Sequence, residues 1–162
     1  MEQKIKVLFI CLGNICRSPA AEGAFNNLIK TKHLNDLFEI DSCGTSGYHD
    51  GELADPRTRK VAEKRGIHLT HRSRKLTRTD LTHFDYLLVM DENNFQDVIS
   101  LTNDVKIQEK IFLFGQFRSD KGKPIVPDPY YKNETAFEMV QDLVEDCSVG
   151  FLNFLGIEKC LK

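Results

Sequence analysis

The stretch CLGNICR, which runs from Cys11 to Arg17, decides the fold of this chain. It follows the apolar run 5–10, whose length and β-branched residues predict a buried strand. Ser18 and Pro19 come directly after it, and they suit the cap and the first position of a helix. We therefore expect a cysteine where a central strand ends, followed by a tight loop and a helix capped by Ser18.

A loop between a strand and a helix can direct several backbone N–H groups toward one point, where an anion binds. Gly13 lets the backbone approach that anion, and the planar guanidinium of Arg17 fits two of its oxygens. The positive potential favours the thiolate form of Cys11, which is the nucleophilic form. This pattern predicts phosphoryl transfer through a cysteinyl-phosphate. The predicted phosphate loop contains, besides Cys11 and Arg17, the residues Leu12, Gly13, Asn14, Ile15, Cys16 and Ser18.

Strands alternate with helices along the chain, which predicts an α/β fold with a parallel sheet and helices on both faces. The 162 residues suit a single domain, residues 1–162. The four expected strands are 5–10, 38–43, 84–90 and 110–114, and the expected helices are 18–30, 55–66, one after Asp91, and 134–155. Because parallel strands place their carboxyl ends at one edge, we expect Cys11, either Ser42 or Cys43, Asp91 and the loop after the fourth strand to meet there.

The composition excludes several classes of protein. The chain is 41% hydrophobic and 28% charged with a net charge of -2, which gives no reason to expect nucleic acid or a membrane as partner. It has no stretch of the roughly 20 apolar residues that cross a bilayer and no signal peptide, so we expect a cytoplasmic protein. Its five cysteines show neither a disulfide framework nor zinc spacing, so a structural metal is not expected.

Four motifs resemble the low-molecular-weight protein tyrosine phosphatase family. They are the loop from Cys11 to Pro19, Asp41-Ser-Cys-Gly-Thr45, Met90-Asp-Glu-Asn-Asn94 and Asp128-Pro-Tyr-Tyr131. The resemblance extends over essentially the whole chain. It implies hydrolysis of phosphotyrosine in protein substrates, without cofactor or metal, and inhibition by phosphate-like oxyanions.

The resemblance also assigns a role to Asp128, which by itself could be an ordinary Asp-Pro turn. In the family this aspartate protonates the departing phenolate and then deprotonates the attacking water. Tyr130 and Tyr131 are expected to form walls of a slot for the phenyl ring, and Tyr48 either forms the opposite wall or merely fills its loop. Ile15 either contacts the ring or packs in the core.

Supporting residues follow from the same resemblance. Asp91 is sufficiently explained as a helix cap, but the family pattern implies that it braces the phosphate loop. The other expected supports are Asn14, Ser18, Ser42 and His71. Most of the basic stretch 70–78, which contains His71, is otherwise interpreted as solvated surface.

Three alternatives remain open. A thioredoxin-coupled arsenate reductase shares the loop and fold, but it needs further cysteines after the third strand, and residues 91–102 contain none. Protein arginine phosphatases tend to carry threonine where Ile15 stands and to lack the paired tyrosines. A module that binds phosphotyrosine without turnover is disfavoured by the presence of Cys11, Arg17 and Asp128 together.

Overall fold

A computed structural model describes residues 3–157 of the chain. These residues form one four-stranded parallel sheet in the order β2-β1-β3-β4. The strands are β1 (Ile5–Cys11), β2 (Phe38–Gly44), β3 (Tyr86–Val89) and β4 (Ile111–Leu113). The helices are α1 (Arg17–Thr31), α2 (Pro56–Lys64), α3 (Arg78–His83), α4 (Glu92–Ile99), α5 (Val105–Gln108) and α6 (Glu134–Leu155). The predicted range 1–162 therefore extends past the described residues at both ends.

The first strand occupies a central position in the sheet. Cys11 pairs with Gly44 of β2, and Ile10 pairs with Val89 of β3. The carboxyl end of β1 is therefore flanked by the carboxyl ends of two neighbours. This arrangement confirms the predicted parallel sheet and brings the loops after β1, β2 and β3 to one edge.

Helices cover both faces of the sheet, as predicted. On one face, α1 and α6 pack against β1 and β3, and the core there includes Phe9, Phe25, Leu88, Val144 and Phe151. On the other face, residues of α3, α4 and α5 pack against the same strands, and the core includes Leu8, Ile10, Leu81, Val98 and Ile107. Among residues 3–157 no helix combines the length and the apolar character needed to span a membrane.

Most helix starts agree with the sequence. The side chain of Asp55 accepts a hydrogen bond from Arg57 N at the start of α2, and the side chain of Asp91 accepts one from Asn94 N at the start of α4. Gly66 follows α2 with a φ of +76°, which a glycine adopts without strain.

The predicted cap of α1 is wrong. The helix begins at Arg17 rather than Ser18, and the preceding residue, Cys16, makes no capping hydrogen bond with its side chain. The hydroxyl of Ser18 lies instead 3.0 Å from Cys11 Sγ. The first turn of α1 therefore keeps its N–H groups free of a side-chain cap, as an anion-binding helix terminus requires.

The predicted third strand is too long, and two short helices were not predicted. Phe84 ends α3 and accordingly lies outside β3, which has only four residues. Helices α3 and α5 have six and four residues, too few to show a helical period in the sequence. Two 3₁₀ turns, Asn35–Leu37 and Phe114–Phe117, complete the described secondary structure.

Candidate active site

The loop between β1 and α1 turns its carbonyl groups outward. The carbonyl oxygens of residues 11, 12, 15 and 16 accept hydrogen bonds from the backbone N–H groups of Thr45, Ser46, Asp55 and Ala20, respectively. The carbonyl of Gly13 accepts one from Ser73 Oγ. In a trans peptide the C=O of one residue and the N–H of the next point in opposite directions. The N–H groups of residues 12, 13, 14, 16 and 17 therefore face the interior of the loop and form an anion-binding nest.

Cys11 lies at the floor of this nest. Its residue is only 2% exposed, and its Sγ accepts a hydrogen bond from Asn14 N at 3.2 Å. The Ser18 hydroxyl lies 3.0 Å from the same sulfur. Both groups can donate a hydrogen bond to this sulfur.

The side chain of Asn14 stabilises the conformation of the phosphate loop. Its backbone has a φ of +56°, a left-handed conformation that asparagine tolerates better than most residues. Its amide nitrogen donates to Ser18 Oγ at 2.8 Å and to Ser42 Oγ at 3.0 Å. Its amide oxygen accepts from His71 Nε2 at 2.9 Å and from Arg74 N at 3.1 Å. The buried amide therefore has partners at both ends, as a rigid support needs.

Three of the residues expected to support the loop, Ser18, Ser42 and His71, meet at this asparagine. Ser42 Oγ donates in turn to Glu22 Oε1, and burial raises the pKa of Glu22 to about 7. Because the Asn14 oxygen can only accept, His71 carries its hydrogen on Nε2. His71 Nδ1 then lies 3.4 Å from Asp41 and 3.6 Å from Glu22.

Five of the nine residues in the basic stretch 70–78 are exposed, which agrees with the solvated surface expected for most of it. Ser73 is buried against the phosphate loop. The guanidinium of Arg74 bridges Asp41 and Asp80 and ties β2 to α3. Within the stretch 70–78, the residues His71, Ser73 and Arg74 are thus structural supports of the site.

Arg17 is buried at 2% exposure, and its orientation is fixed by two acceptors. Its Nη1 donates to Asp91 Oδ2 at 2.6 Å and to the Val126 carbonyl at 3.2 Å. Its Nη2 lies 3.8 Å from Asp128 Oδ2. Although burial opposes the charged form, Cys11 and the two aspartates raise the pKa of Arg17 above its usual value, so the guanidinium stays charged. Asp91 therefore serves both as the cap of α4 and as the anchor of Arg17.

A cavity of about 420 Å³ opens above Cys11. Its walls include Leu12, Gly13, Ile15, Cys16, Arg17, Tyr48, Asp128, Tyr130 and Tyr131. The structure thus brings together all residues predicted for the nucleophile, the acid and the slot. Tyr130 is half-buried and contacts Tyr131 edge to face, whereas Tyr48 and Tyr131 are 86% and 92% exposed at the mouth. The cavity is therefore charged at its floor and aromatic at its mouth.

Sequence reasoning missed several residues of this site. Ser46 and His49 line the cavity. At Gly44, a Cβ would lie 2.7 Å from the Leu12 carbonyl oxygen and 3.1 Å from Asn14 N, so only glycine allows β2 to approach the phosphate loop. The Asp41-Ser-Cys-Gly-Thr45 motif contained this signal. No sequence signal distinguished His49 from other loop histidines.

The remaining cysteines within residues 3–157 are buried free thiols. Burial, with Asp55 as the next contribution, raises the pKa of Cys16 to about 12. Burial likewise raises the pKa of Cys147 to about 12 and that of Cys43 well above the usual range. These three side chains are therefore protonated and poorly nucleophilic at neutral pH.

The fold and the site together define a class: small α/β enzymes that carry an anion-binding loop with a cysteine between the first strand and the first helix. Residues 6–160 match the family model described as low molecular weight phosphotyrosine protein phosphatase. The chain belongs to this family, and it is an enzyme of this kind.

Individual relatives agree with that assignment. The chain is 44% identical over 160 residues to the low molecular weight phosphotyrosine protein phosphatase of Schizosaccharomyces pombe, covering 96% of this chain and all of that one. A protein tyrosine phosphatase structure from Entamoeba histolytica superposes with a TM-score of 0.91 at 38% identity, covering 96% and 99% of the two chains. The Drosophila arginine phosphatase DARP superposes with a TM-score of 0.86 at 27% identity, covering 93% and 97%.

Proposed function

We propose that this enzyme hydrolyses phosphotyrosine in protein substrates through a cysteinyl-phosphate on Cys11. The thiolate attacks phosphorus and the P–O bond to the phenol breaks, while Arg17 and the loop N–H groups hold the phosphoryl oxygens. Asp128 gives its proton to the departing phenolate oxygen. It then takes a proton from the water that breaks the S–P bond, which releases inorganic phosphate and restores the thiolate.

One observation carries this proposal: Cys11, Arg17 and Asp128 line the same cavity. The sulfur lies at the floor, within 3.2 Å of a loop N–H group. The carboxylate lies at the rim, 3.8 Å from the guanidinium. A phosphate held between them would have its nucleophile on one side and its proton donor on the other, as in-line displacement requires.

The mouth of the cavity favours an aryl ester. Tyr48, Tyr130 and Tyr131 offer ring faces and edges to a phenyl ring, and Ile15 adds an apolar contact below them. Phosphoserine would leave these side chains without a partner. The same nest should bind free phosphate and similar oxyanions, which would act as competitive inhibitors. We place the enzyme in the cytoplasm, since its active form needs a reduced Cys11 thiol.

Two activities on the same fold compete with this proposal. The relative DARP is named an arginine phosphatase, which makes phosphoarginine a second candidate substrate. Arsenate reduction would require thiols that can form successive disulfides with Cys11. The segment 91–102 contains no cysteine, and Cys43 and Cys147 are fully buried.

A parallel assay decides between these candidates. The purified protein should be given phosphotyrosine, phosphoserine and phosphoarginine peptides and, with thioredoxin as reductant, arsenate. We expect hydrolysis of phosphotyrosine with the highest kcat/KM. A higher kcat/KM for phosphoarginine, or reduction of arsenate, would overturn the proposal.

The role of Asp128 is tested by a substitution that keeps its shape. Asp128→Asn is expected to slow phosphotyrosine hydrolysis by roughly 10²–10⁴-fold, because a phenolate leaves poorly without a proton. The burst of nitrophenol from p-nitrophenyl phosphate should be slowed far less, because its leaving group is much more acidic. Stopped-flow measurement of that burst separates bond cleavage from hydrolysis of the intermediate.

A matched control comes from the same loop. Asp120 is exposed and pairs with Arg118, away from the cavity, so Asp120→Asn should leave both substrates unaffected. If Asp128→Asn slows cleavage of the P–O bond equally for phosphotyrosine and p-nitrophenyl phosphate, then the substitution displaces the loop and Asp128 is not the acid.

A further inference from the structure

His49 lies in the wall of the active-site cavity, although no step of the proposed reaction uses it. Its ring is in contact with Tyr48, at a centroid distance of 4.9 Å, and faces Tyr130 at 6.3 Å. Its Nδ1 lies 2.6 Å from Glu52 Oε2, and the side chain is only 20% exposed. A histidine is thus held by a carboxylate between two aromatic residues of the substrate slot.

Backbone hydrogen bonds fix the segment that carries His49. Gly51 N donates to the Ser73 carbonyl, and Ser73 N donates to the Glu52 carbonyl, both at 2.8 Å. Glu52 N donates to the His49 carbonyl at 3.0 Å. The stretch 49–52 is therefore hydrogen-bonded to Ser73, the residue whose Oγ donates to the Gly13 carbonyl of the phosphate loop.

The other ring nitrogen of His49 lies alongside the phosphate loop. A Cβ built on Gly13 would lie 3.2 Å from Cδ2 and 3.9 Å from Nε2 of this histidine. No hydrogen bond joins Nε2 to any residue in 3–157. Nδ1–H donates its hydrogen bond to Glu52. Nε2 therefore remains available to a polar group of a substrate bound in the cavity.

We propose that His49 is a specificity residue, whose imidazolium form binds a carboxylate side chain next to the phosphotyrosine of the substrate. This inference rests on the proposed phosphotyrosine phosphatase activity. Two guanidinium groups near the cavity are already held by carboxylates of the protein. Arg17 is bound to Asp91 and points at the phosphoryl group, and Arg57 forms a bidentate pair with Asp55. Nε2 of His49, in contrast, makes no hydrogen bond within residues 3–157, so its N–H in the imidazolium form can donate to a second anionic group of the substrate.

Several charged or titratable groups surround His49 and enter any pH dependence. They are Glu52 and Asp50 in its own loop, Cys11 and Arg17 in the phosphate loop, Lys75 beside Gly47, and Asp128, Tyr130 and the neighbouring Arg57 across the cavity. Those that act in catalysis affect every phosphotyrosine peptide alike. The ratio of the kcat/KM values of two peptides on one enzyme cancels the contribution of these catalytic groups. What remains is the interaction between His49 and the residue that flanks the phosphotyrosine.

The test uses two phosphotyrosine peptides that differ only in carrying Glu or Gln on both sides of the phosphotyrosine. The ratio of their kcat/KM values is measured at about pH 5.5, where a histidine is largely protonated, and at about pH 8, where it is largely neutral. For the wild-type enzyme we expect the Glu peptide to be favoured roughly two- to fivefold at the lower pH, the range of a partly exposed ion pair, and not at the higher pH. In His49→Gln the ratio should be close to one at both.

A second histidine provides the control. His68 also lies next to a glutamate, Glu63 at 3.0 Å, but it is outside the cavity, so His68→Gln should keep the wild-type ratios. A preference that persists in His49→Gln, or a wild-type ratio of one at both pH values, would overturn the inference. Failure to hydrolyse either peptide would instead overturn the proposed function.

Discussion

Cys11→Ser is expected to lower kcat for phosphotyrosine by roughly 10⁴–10⁶-fold, the loss seen when an essential nucleophile is removed. A serine hydroxyl stays protonated in this nest and is a much weaker nucleophile than a thiolate. The hydroxyl can still accept from Asn14 N and contact Ser18 Oγ, so the loop should keep its shape. Binding of inorganic phosphate, measured by calorimetry, is therefore expected to persist while turnover is lost.

The matched control is Cys147→Ser. This cysteine is also fully buried, but it lies in α6 within the core and not in the cavity. Its replacement should cost some stability and leave kcat close to the wild-type value. Residual turnover in Cys11→Ser near the wild-type rate would exclude the covalent route through this sulfur.

Arg17→Lys is expected to lower kcat by roughly 10²–10³-fold, the usual cost of removing a fixed donor from a developing oxyanion. A lysine keeps the charge but cannot hold two phosphoryl oxygens in a plane. It also cannot replace both hydrogen bonds of the buried Nη1, to Asp91 and to the Val126 carbonyl. Single-turnover kinetics with phosphotyrosine peptide, combined with urea unfolding, separates the two consequences.

Arg65 provides the control for lost ion pairs. Its guanidinium pairs with Glu138, Asp142 and Glu145 of α6, outside the cavity. Arg65→Lys should therefore affect the midpoint of urea unfolding and leave kcat unchanged. If Arg17→Lys loses stability in the same way but keeps its kcat, then Arg17 has only a structural role.

The order of elements around the active site could be predicted because each part of it has a local signal. The apolar run before Cys11, the cap-and-proline pair at Asp55 and Pro56, and the long apolar stripe of α6 each depend on neighbouring residues. Parallel pairing then follows from the alternation of strands and helices. The meeting of Cys11, Ser42 and Asp91 at one edge is a consequence of that topology.

The parts that could not be predicted depend on contacts between distant segments. Ser18 and Pro19 form a typical helix start, but the hydroxyl of Ser18 bonds to the active-site sulfur instead, because Asn14 and Cys11 lie next to it only in the folded loop. Arg74 is indistinguishable in sequence from its exposed basic neighbours. Its role follows from the positions of Asp41 and Asp80, which lie 33 and 6 residues away along the chain.

The central claim is that phosphate is transferred to Cys11 before it reaches water. The most direct measurement is acid quenching of the wild-type enzyme within its first turnover of a phosphotyrosine peptide, followed by mass spectrometry of the fragment that contains residues 11–17. The account predicts one phosphate on the Cys11 sulfur in the wild-type enzyme and none in Cys11→Ser. In Asp128→Asn the amount of phosphorylated enzyme divided by the turnover rate should be larger than in the wild type. Turnover without any phosphorylated enzyme, or a phosphate on another residue, would contradict it.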